Sequence, residues 1–173
     1  MKNSLAEISN QKQNIAVLDF EEKHADEILQ IQTECGLSLW SKTDYLNELE
    51  RADSIFKIVQ NSDKKIIGFA LVRLLIGNSN ASNISFDSSE ILNIAVRNSF
   101  QKQGLGQMIF DEILRVLKQK NISEIWLEVR ESNSKAIAFY QKNNFEMQFE
   151  RKNYYNNPTE NALVFRRLLK EEN

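Results

Sequence analysis

The sequence has few of the residues that make disulfides, metal sites and flexible linkers. In 173 residues it contains one cysteine, Cys35, and one histidine, His24. A single cysteine cannot form an internal disulfide, which fits a reducing compartment. With a single histidine, most kinds of zinc site are excluded, and so is a Ser-His-Asp triad with several candidate bases. The five glycines and one proline argue against long linkers.

The chain also lacks an excess of either charge and a long apolar run. Its 22 basic and 24 acidic residues give a net charge of −2, so the basic excess typical of nucleic-acid-binding proteins is missing, and we expect no direct nucleic-acid partner. The longest apolar run, Ile66 to Val72, is far shorter than the ~20 residues that span a bilayer. Residues 1–14 are polar and lack the apolar core of a secretory signal. We therefore expect a cytoplasmic protein without membrane contact.

The remaining composition is typical of one globular domain. With 42% hydrophobic and 27% charged residues, a chain of this length buries about 70% of its unfolded surface without a disulfide or metal. We expect one domain over residues 1–173, with a polar N-terminal extension at 1–14. Residues 77–89 are almost all Gly, Asn, Ser and Asp and predict an exposed connection within that domain.

Hydrophobic periodicity predicts an α/β fold. Alternating or β-branched apolar runs predict seven strands, near Ile15–Phe20, Ile55–Val59, Ile66–Leu75, Ile91–Val96, Glu124–Val129, Glu146–Lys152 and Ala162–Leu168. Helical spacing predicts four helices. The first lies around Ala25, Ile28 and Leu29, and the second follows a capping box at Ser41–Asp44. The third covers 105–118, with an apolar face of Leu105, Ile109, Ile113, Val116 and Leu117, and the fourth covers about 133–143. Their order predicts a mixed sheet of about seven strands flanked by about four helices.

The sharpest local feature is a glycine-containing turn from a strand that ends at Val96 to the helix that begins near Leu105. It contains Gln101-Lys-Gln-Gly104-Leu-Gly106. A helix start offers unpaired N–H groups and partial positive charge, so this turn is suited to an anion. A dinucleotide-binding loop needs a third glycine where Ile109 stands, and a P-loop needs Gly-Lys-Ser/Thr, which is absent. Taken alone, two glycines are also explained by a tight turn.

The Gln101-x-x-Gly104-x-Gly106 pattern resembles the acyl-CoA loop of the GNAT (GCN5-related) N-acetyltransferases. Neighbouring segments are similar to the bacterial ribosomal-protein-alanine N-acetyltransferases in particular. These segments are Ile91-Leu-Asn-Ile-Ala-Val96, Trp126-Leu-Glu128-Val-Arg130-x-Ser132-Asn133, Ala138-Phe-Tyr140 and Arg151-Lys-Asn-Tyr154-Tyr155. The resemblance runs from about Ile91 to Tyr155, with a weaker echo in Leu37-Ser-Leu-Trp40-Ser.

The resemblance implies a GNAT fold that takes acetyl-CoA as co-substrate and uses no metal. The strands that end at Val96 and contain Glu128 would splay apart to admit it. Ile94, Ala95 and Val96 would offer backbone groups to the pantetheine arm, and Asn133 would hydrogen-bond the cofactor. The pyrophosphate would be surrounded by the backbone N–H groups of Lys102, Gln103, Gly104, Leu105, Gly106 and Gln107.

Two residues are expected to carry the chemistry. An α-amino group has a pKa of roughly 7.7–8.0, so only about 10–20% is neutral at pH 7 and a base has to remove its proton. Glu128 shares a strand face with Trp126, where partial burial strengthens a carboxylate as a base, and the resemblance assigns it that role. Tyr140 matches the acid that protonates the departing thiolate. The alternatives are a surface glutamate and a core aromatic at helical spacing from Ala136.

The sequence departs from the family at a few positions. Arg97-Asn98 replaces Asp-Pro, and we expect the Arg97 charge to help bind the phosphates. Asn144 replaces a glycine that ends a helix, a position where asparagine tolerates the left-handed conformation. Asn161 stands where relatives tend to have aspartate, beside the path of an acceptor. Cys35 is expected to be an inert thiol, and solvated strand positions are expected for Arg151, Lys152, Arg166 and Arg167.

The function expected from this resemblance is transfer of acetyl to a protein N-terminal amine. The implied acceptor is the N-terminal alanine of the eighteenth small-subunit ribosomal protein. Two alternatives stay open, a GNAT enzyme that acetylates a small amine and a catalytically silent acyl-CoA-binding module. The presence of both Glu128 and Tyr140 favours catalysis.

Overall fold

The computed structural model describes residues 15–37, 40–77 and 86–169. Within these ranges strands and helices follow one another in the predicted order. The strands are β1 (Ala16–Asp19), β2 (Ser54–Gln60), β3 (Ile66–Ile76), β4 (Phe86–Val96), β5 (Glu124–Arg130), β6 (Glu146–Tyr155) and β7 (Glu160–Leu168). The helices are α1 (Ala25–Cys35), α2 (Lys42–Leu49), α3 (Leu105–Gln119) and α4 (Ser134–Lys142). The predicted extension at 1–14 and residues 78–85 of the predicted connection lie outside the described residues.

The strands form one mixed sheet in the order β1-β2-β3-β4-β5-β7-β6. All neighbouring strands are antiparallel except β4 and β5, which are parallel. The ladder between β4 and β5 runs only from the pair Ser88 and Glu124 to the pair Ile91 and Leu127. Because β4 continues to Val96 and β5 to Arg130, the two strands part beyond this point. The splayed sheet is therefore confirmed.

Hydrophobic cores lie on both faces of the sheet. One face packs against α1 and α2 through residues such as Ile28, Tyr45 and Phe69. The other face packs against α3, whose predicted apolar stripe is buried at Leu105, Ile109, Ile113 and Leu117, together with Phe110; Val116 is only partly buried. The sheet thus separates an α1/α2 face from an α3/α4 face, and the opening between β4 and β5 joins them.

Strand β4 begins five residues before its predicted start. The prediction of a connection that extends to Ser89 is wrong at residues 86–89, because this stretch is paired on both sides. Ser88 lies opposite Leu75 of β3 and Glu124 of β5, and Ser89 is fully buried. Ladder bonds to two strands outweigh the weak strand preference of serine and aspartate.

Arg97 lies in the core and not beside the cofactor loop. Its side chain is 9% exposed. Its guanidinium donates to the Ile66 carbonyl at 2.9 Å and forms ion pairs with Glu34 at 3.0 Å and Glu27 at 3.9 Å. The expectation that its charge helps to bind phosphates is therefore wrong, since the charge is neutralised by α1. Arg97 joins the end of β4 to α1.

We expect Arg97→Met to lower the free energy of unfolding by about 2–3 kcal/mol, because it removes the hydrogen-bond donor of the Ile66 carbonyl and the cation paired with Glu34. Arg115 offers a matched control, since it pairs with Glu112 at 2.7 Å but is 55% exposed. Arg115→Met should cost less than about 1 kcal/mol. Urea unfolding of both variants measures the difference, and equal losses would contradict a structural role for Arg97.

Candidate active site

A cleft of about 700 Å³ opens where β4 and β5 part. The end of α1, the loop before α3 and the first two turns of α4 complete its walls. Seven of the predicted site residues line it, namely Ile94, Ala95, Val96, Lys102, Gly106, Asn133 and Tyr140. Ile94 to Val96 pair with β3 on one side and have no ladder partner on β5 among the described residues. Main-chain groups on that side of β4 face the cleft.

One end of the cleft is suited to an anion. Gly104 is the N-cap of α3 with a left-handed backbone (φ +83°), and because it has no side chain it provides no side-chain cap for the first N–H groups of the helix. The first N–H groups of α3 therefore keep their partial positive charge. Lys102, Lys135 and Arg130 line the same cleft. Arg130 is paired with Glu160 at 3.1 Å, so the uncapped amides and the two lysines are the groups suited to a diphosphate.

Side chains in the predicted phosphate loop make contacts within the protein. Gln103 donates to the Ser99 carbonyl at 3.3 Å, and Gln107 donates to Asn143 at 2.8 Å. Leu105 is 2% exposed in the core. These residues can reach a phosphate only through their backbone N–H groups, the role that the sequence predicts for them.

Gly106 borders the cleft opposite α4. A Cβ atom added there would lie 3.7 Å from Cε2 of Phe139, an ordinary contact distance. The protein therefore has room for a Cβ atom, but a larger, branched side chain would project into the space that a ligand needs.

We expect Gly106→Val to weaken acetyl-CoA binding about tenfold to a hundredfold and to leave the fold intact, because its methyl groups overfill the ligand space. Gly106→Ala should change the affinity by less than about threefold, since its Cβ meets only Phe139 at contact distance. Calorimetry of both variants checks this, with circular dichroism as the folding control. Unchanged affinity in folded Gly106→Val would remove this loop from the binding site.

Asn133 performs a task that the sequence analysis did not assign to it. It is the N-cap of α4, and its Oδ1 accepts from the N–H of Ala136 at 3.1 Å. Its Nδ2 group makes no hydrogen bond to the described part of the chain and lies at the cleft wall. Only this amide nitrogen is available to a cofactor.

Tyr140 lies at the inner end of the cleft. It is 7% exposed and its ring packs between Phe139 and Phe145. Burial raises the pKa of Tyr140 well above its usual value, with a smaller contribution from Tyr155. The phenol therefore holds its proton at neutral pH, as an acid must. Its hydroxyl has no hydrogen-bond partner among the described residues.

Glu128 is the first residue of β5 after its last ladder pair with β4, and it is not among the residues that line the cleft. Its side chain is 18% exposed and forms an ion pair with Arg151 at 2.5 Å. Tyr154 also hydrogen-bonds to it, a contact that raises the pKa of the Tyr154 phenol. The 49% exposure of Arg151 on β6 agrees with the prediction of a solvated strand position, but its ion pair with Glu128 across β7 was not predicted. Arg167 is not merely solvated, since it donates to the Asn143 carbonyl at 2.9 Å.

Cys35 ends α1 at the wall of the cleft. Its thiol donates to the Val96 carbonyl at 3.4 Å. Burial, followed by the charge of Glu34, raises the pKa of the Cys35 thiol. A thiol with a raised pKa forms little thiolate at neutral pH, which agrees with the expectation of an inert side chain.

Several polar residues at this site were not predicted from the sequence. Arg130 and Lys135 line the cleft beside predicted residues, and their closeness to Glu128 and Asn133 in sequence was the available signal. Glu90 and Asn93 interrupt the apolar pattern of β4, a signal that was present but not used. Burial, followed by the charge of Glu128, raises the pKa of Glu90.

The family model for the acetyltransferase (GNAT) family matches residues 25–145. The chain belongs to the GNAT acetyltransferase family. Acetyl-CoA is therefore its acetyl donor, and the uncapped start of α3 with its nearby cations fits the diphosphate of that molecule. Across residues 15–37, 40–77 and 86–169, no group of three or more His, Cys, Asp or Glu side chains is placed to hold a metal. In the same ranges no helix combines the length and hydrophobicity needed to cross a membrane.

Two curated relatives of this GNAT enzyme match along nearly the whole chain. The [ribosomal protein bS18]-alanine N-acetyltransferase of Haemophilus influenzae is 32% identical over 153 residues, which cover 87% of this chain and 92% of the relative. A putative enzyme of the same name from Bacillus subtilis is 27% identical over 153 residues and covers 88% of this chain and 95% of the relative.

Solved structures confirm the GNAT fold. The ribosomal-protein-S18-alanine N-acetyltransferase of Escherichia coli has a TM-score of 0.77 at 22% identity and covers 92% of this chain and 96% of its own. Arabidopsis thaliana NAA60 in complex with a bisubstrate analogue has a TM-score of 0.79 at 14% identity, with 91% and 100% coverage. At these identities the likeness concerns the fold alone.

Proposed function

We propose that this GNAT enzyme acetylates the α-amino group of a protein N-terminus in the cytoplasm, and that its substrate is the N-terminal alanine of ribosomal protein bS18. The observation that carries the proposal is the opening between β4 and β5, which Tyr140 lines and beside which Glu128 follows the last ladder pair of β5. The names of the two curated relatives support the choice of substrate.

Direct attack of the amine accounts for the roles of both residues. Acetyl-CoA supplies a thioester carbonyl to the reaction. Glu128 takes a proton from the acceptor ammonium, and the neutral amine nitrogen attacks that carbonyl, so that a C–N bond forms and the C–S bond breaks. Tyr140 gives its phenolic proton to the departing sulfur, and the second proton that the nitrogen loses as it becomes an amide passes through solvent to the Tyr140 phenolate. A base that acts on an amine with a pKa of roughly 7.7–8.0 is worth most near pH 7.

Two tyrosines of β6, Tyr154 and Tyr155, lie beside Glu128. Tyr154 packs edge-on against Tyr155 at 5.1 Å, with Arg151 over the first ring and Arg130 over the second. Burial raises the pKa of Tyr155 to about 12, so the phenol stays neutral. Neutral aromatic faces held by two guanidinium groups offer a surface against which a short N-terminal chain can pack.

A competition assay tests the proposed function. An Ala-initiated peptide and its N-terminally blocked, lysine-containing analogue are offered at equal concentration, and intact mass identifies the acetylated atom. We expect the free α-amine to react faster, because a lysine amine with a pKa of ~10.4 adds about 3–4 kcal/mol to the cost of deprotonation. Equal rates would overturn the proposal, and turnover of a small amine alone would favour the small-amine alternative.

A further inference from the structure

Glu90 and Asn93 of β4 are polar residues to which the proposed reaction gives no role. Glu90 lies opposite Arg73 of β3 and opposite Trp126 of β5. Trp126 and Glu128 are two residues apart on β5, so they share a face, whereas Leu127 between them lies in the α3 core. Glu90 and Glu128 therefore stand on the α1/α2 face, about 7 Å apart along the strand direction.

Asn93 reaches the same face because β4 is irregular. The register shifts between the pairs Leu71–Asn93 and Val72–Ile91. Directly opposed residues share a face, and Leu71 lies in the α1/α2 core while Val72 lies in the α3 core. The extra residue, Leu92, thus leaves Asn93 on the side of Leu71, the side that also holds Glu90 and Glu128.

Glu90 is a half-buried carboxylate without a partner of its own. It makes no hydrogen bond or ion pair within the described ranges, although two guanidinium groups are near it. Arg73 pairs with Glu48 of α2, and Arg151 pairs with Glu128. Burial and the charge of Glu128 raise the pKa of Glu90, whereas the charges of Arg73 and Arg151 lower it. The net shift of the pKa is upward. A cation bound here would relieve that repulsion.

Asn93 contributes a donor that has no acceptor. Asn93 is 7% exposed, and its Nδ2 atom has no hydrogen-bond partner within the part of the chain that the structure describes. A buried amide donor without a partner costs free energy. Because this donor is closed to solvent, a ligand carbonyl oxygen would satisfy it once the Asn93 side chain turns toward this face.

We propose that Glu90 and Asn93 recognise the first residue of the acceptor, with Glu90 binding its ammonium beside Glu128 and Asn93 donating to its carbonyl oxygen. This assignment rests on the proposed function for the identity of the acceptor. A chain N-terminus carries both groups, separated by one carbon atom, whereas a simple amine or a lysine side chain carries the ammonium without that carbonyl. Glu90 and Asn93 are positioning residues that make the site selective for N-termini.

The test varies the acceptor at saturating acetyl-CoA, with an Ala-initiated peptide and ethylamine as acceptors. Glu90→Gln should raise KM for whichever acceptor the wild type uses by about tenfold to a hundredfold, with kcat changed by less than about threefold, because a charge-assisted contact is lost. Glu90→Asp should recover part of the affinity. If the wild type acetylates only ethylamine, the proposed function fails while the Glu90 prediction is still measured on that amine.

Asn93→Leu separates the carbonyl contact from the charge. It should raise KM for the peptide by about fivefold to tenfold and leave KM for ethylamine unchanged. Calorimetry adds a readout that needs no turnover: the free-amine peptide, titrated into CoA-saturated protein, should bind more weakly to Glu90→Gln than to wild type. The N-acetylated peptide should not distinguish the two. An unchanged peptide affinity in folded Glu90→Gln, or equal effects of Asn93→Leu on both amines, would overturn the assignment.

Discussion

Glu128→Gln is expected to lower kcat at pH 7 by about 10²–10⁴ without changing the affinity for acetyl-CoA. This range is the usual contribution of a positioned base, and the amide of glutamine cannot accept the proton of the amine. The deficit should shrink as the pH approaches 9.5, because the α-amine then loses its proton to solvent. Steady-state kinetics from pH 7 to 9.5 measure both effects.

Glu124 provides the matched control for this variant. It lies on the same face of β5, where it pairs with Arg166 at 3.7 Å and accepts from the Trp126 indole at 2.8 Å. Glu124→Gln should therefore leave kcat within about threefold of wild type. A deficit in Glu128→Gln that stays constant with pH would show that Glu128 orients the acceptor and is not the base.

Tyr140→Phe is expected to lower kcat by about 10²–10³ with unchanged acetyl-CoA affinity, because the departing sulfur loses its proton donor. The ring stays, so its packing against Phe139 and Phe145 is retained. Since the hydroxyl has no partner among the described residues, its removal should not lower the melting temperature.

Tyr45→Phe is the matched control, because it removes the same hydroxyl group from a tyrosine in the core on the α1/α2 face. The Tyr45 hydroxyl donates to Gln32 at 2.7 Å and its ring is fully buried. This variant should lose about 1 kcal/mol of stability and keep its kcat. If Tyr140→Phe instead loses stability and retains kcat, Tyr140 is a core aromatic and the thiolate takes its proton from another source.

The regular elements could be predicted from local patterns. The apolar stripe of α3 is a periodic signal and the capping box of α2 is a short-range one, and both are present. In the capping box, Ser41 Oγ accepts from the Asp44 N–H at 3.2 Å, and the Asp44 carboxylate accepts from the Ser41 N–H at 2.7 Å. Asn144 has the expected positive φ of 60°. The start of β4 could not be predicted, because Ser88 and Ser89 are held by strands that lie far away in the sequence.

The site was predictable where one contiguous motif builds it. The residues from Val96 to Gly106 form a strand end, a turn and an uncapped helix start, as their local sequence predicts. Contacts across the sheet were not predictable, because Glu128 meets Arg151 only after β7 is placed between β5 and β6. Arg97 shows the same limit, since its charge was assigned to its neighbours in sequence and belongs to α1.

Because the ladder between β4 and β5 is short, the sheet consists of two panels of strands that are joined along one short seam. Strands β1 to β4 form one panel and β5 to β7 the other, and among the described residues four pairs are the whole backbone ladder between them. A molecule that lies in the opening and hydrogen-bonds to both strands adds connections between the two panels. Amide hydrogen exchange on either side of the seam should therefore slow when acetyl-CoA is added, most strongly at residues 92–96.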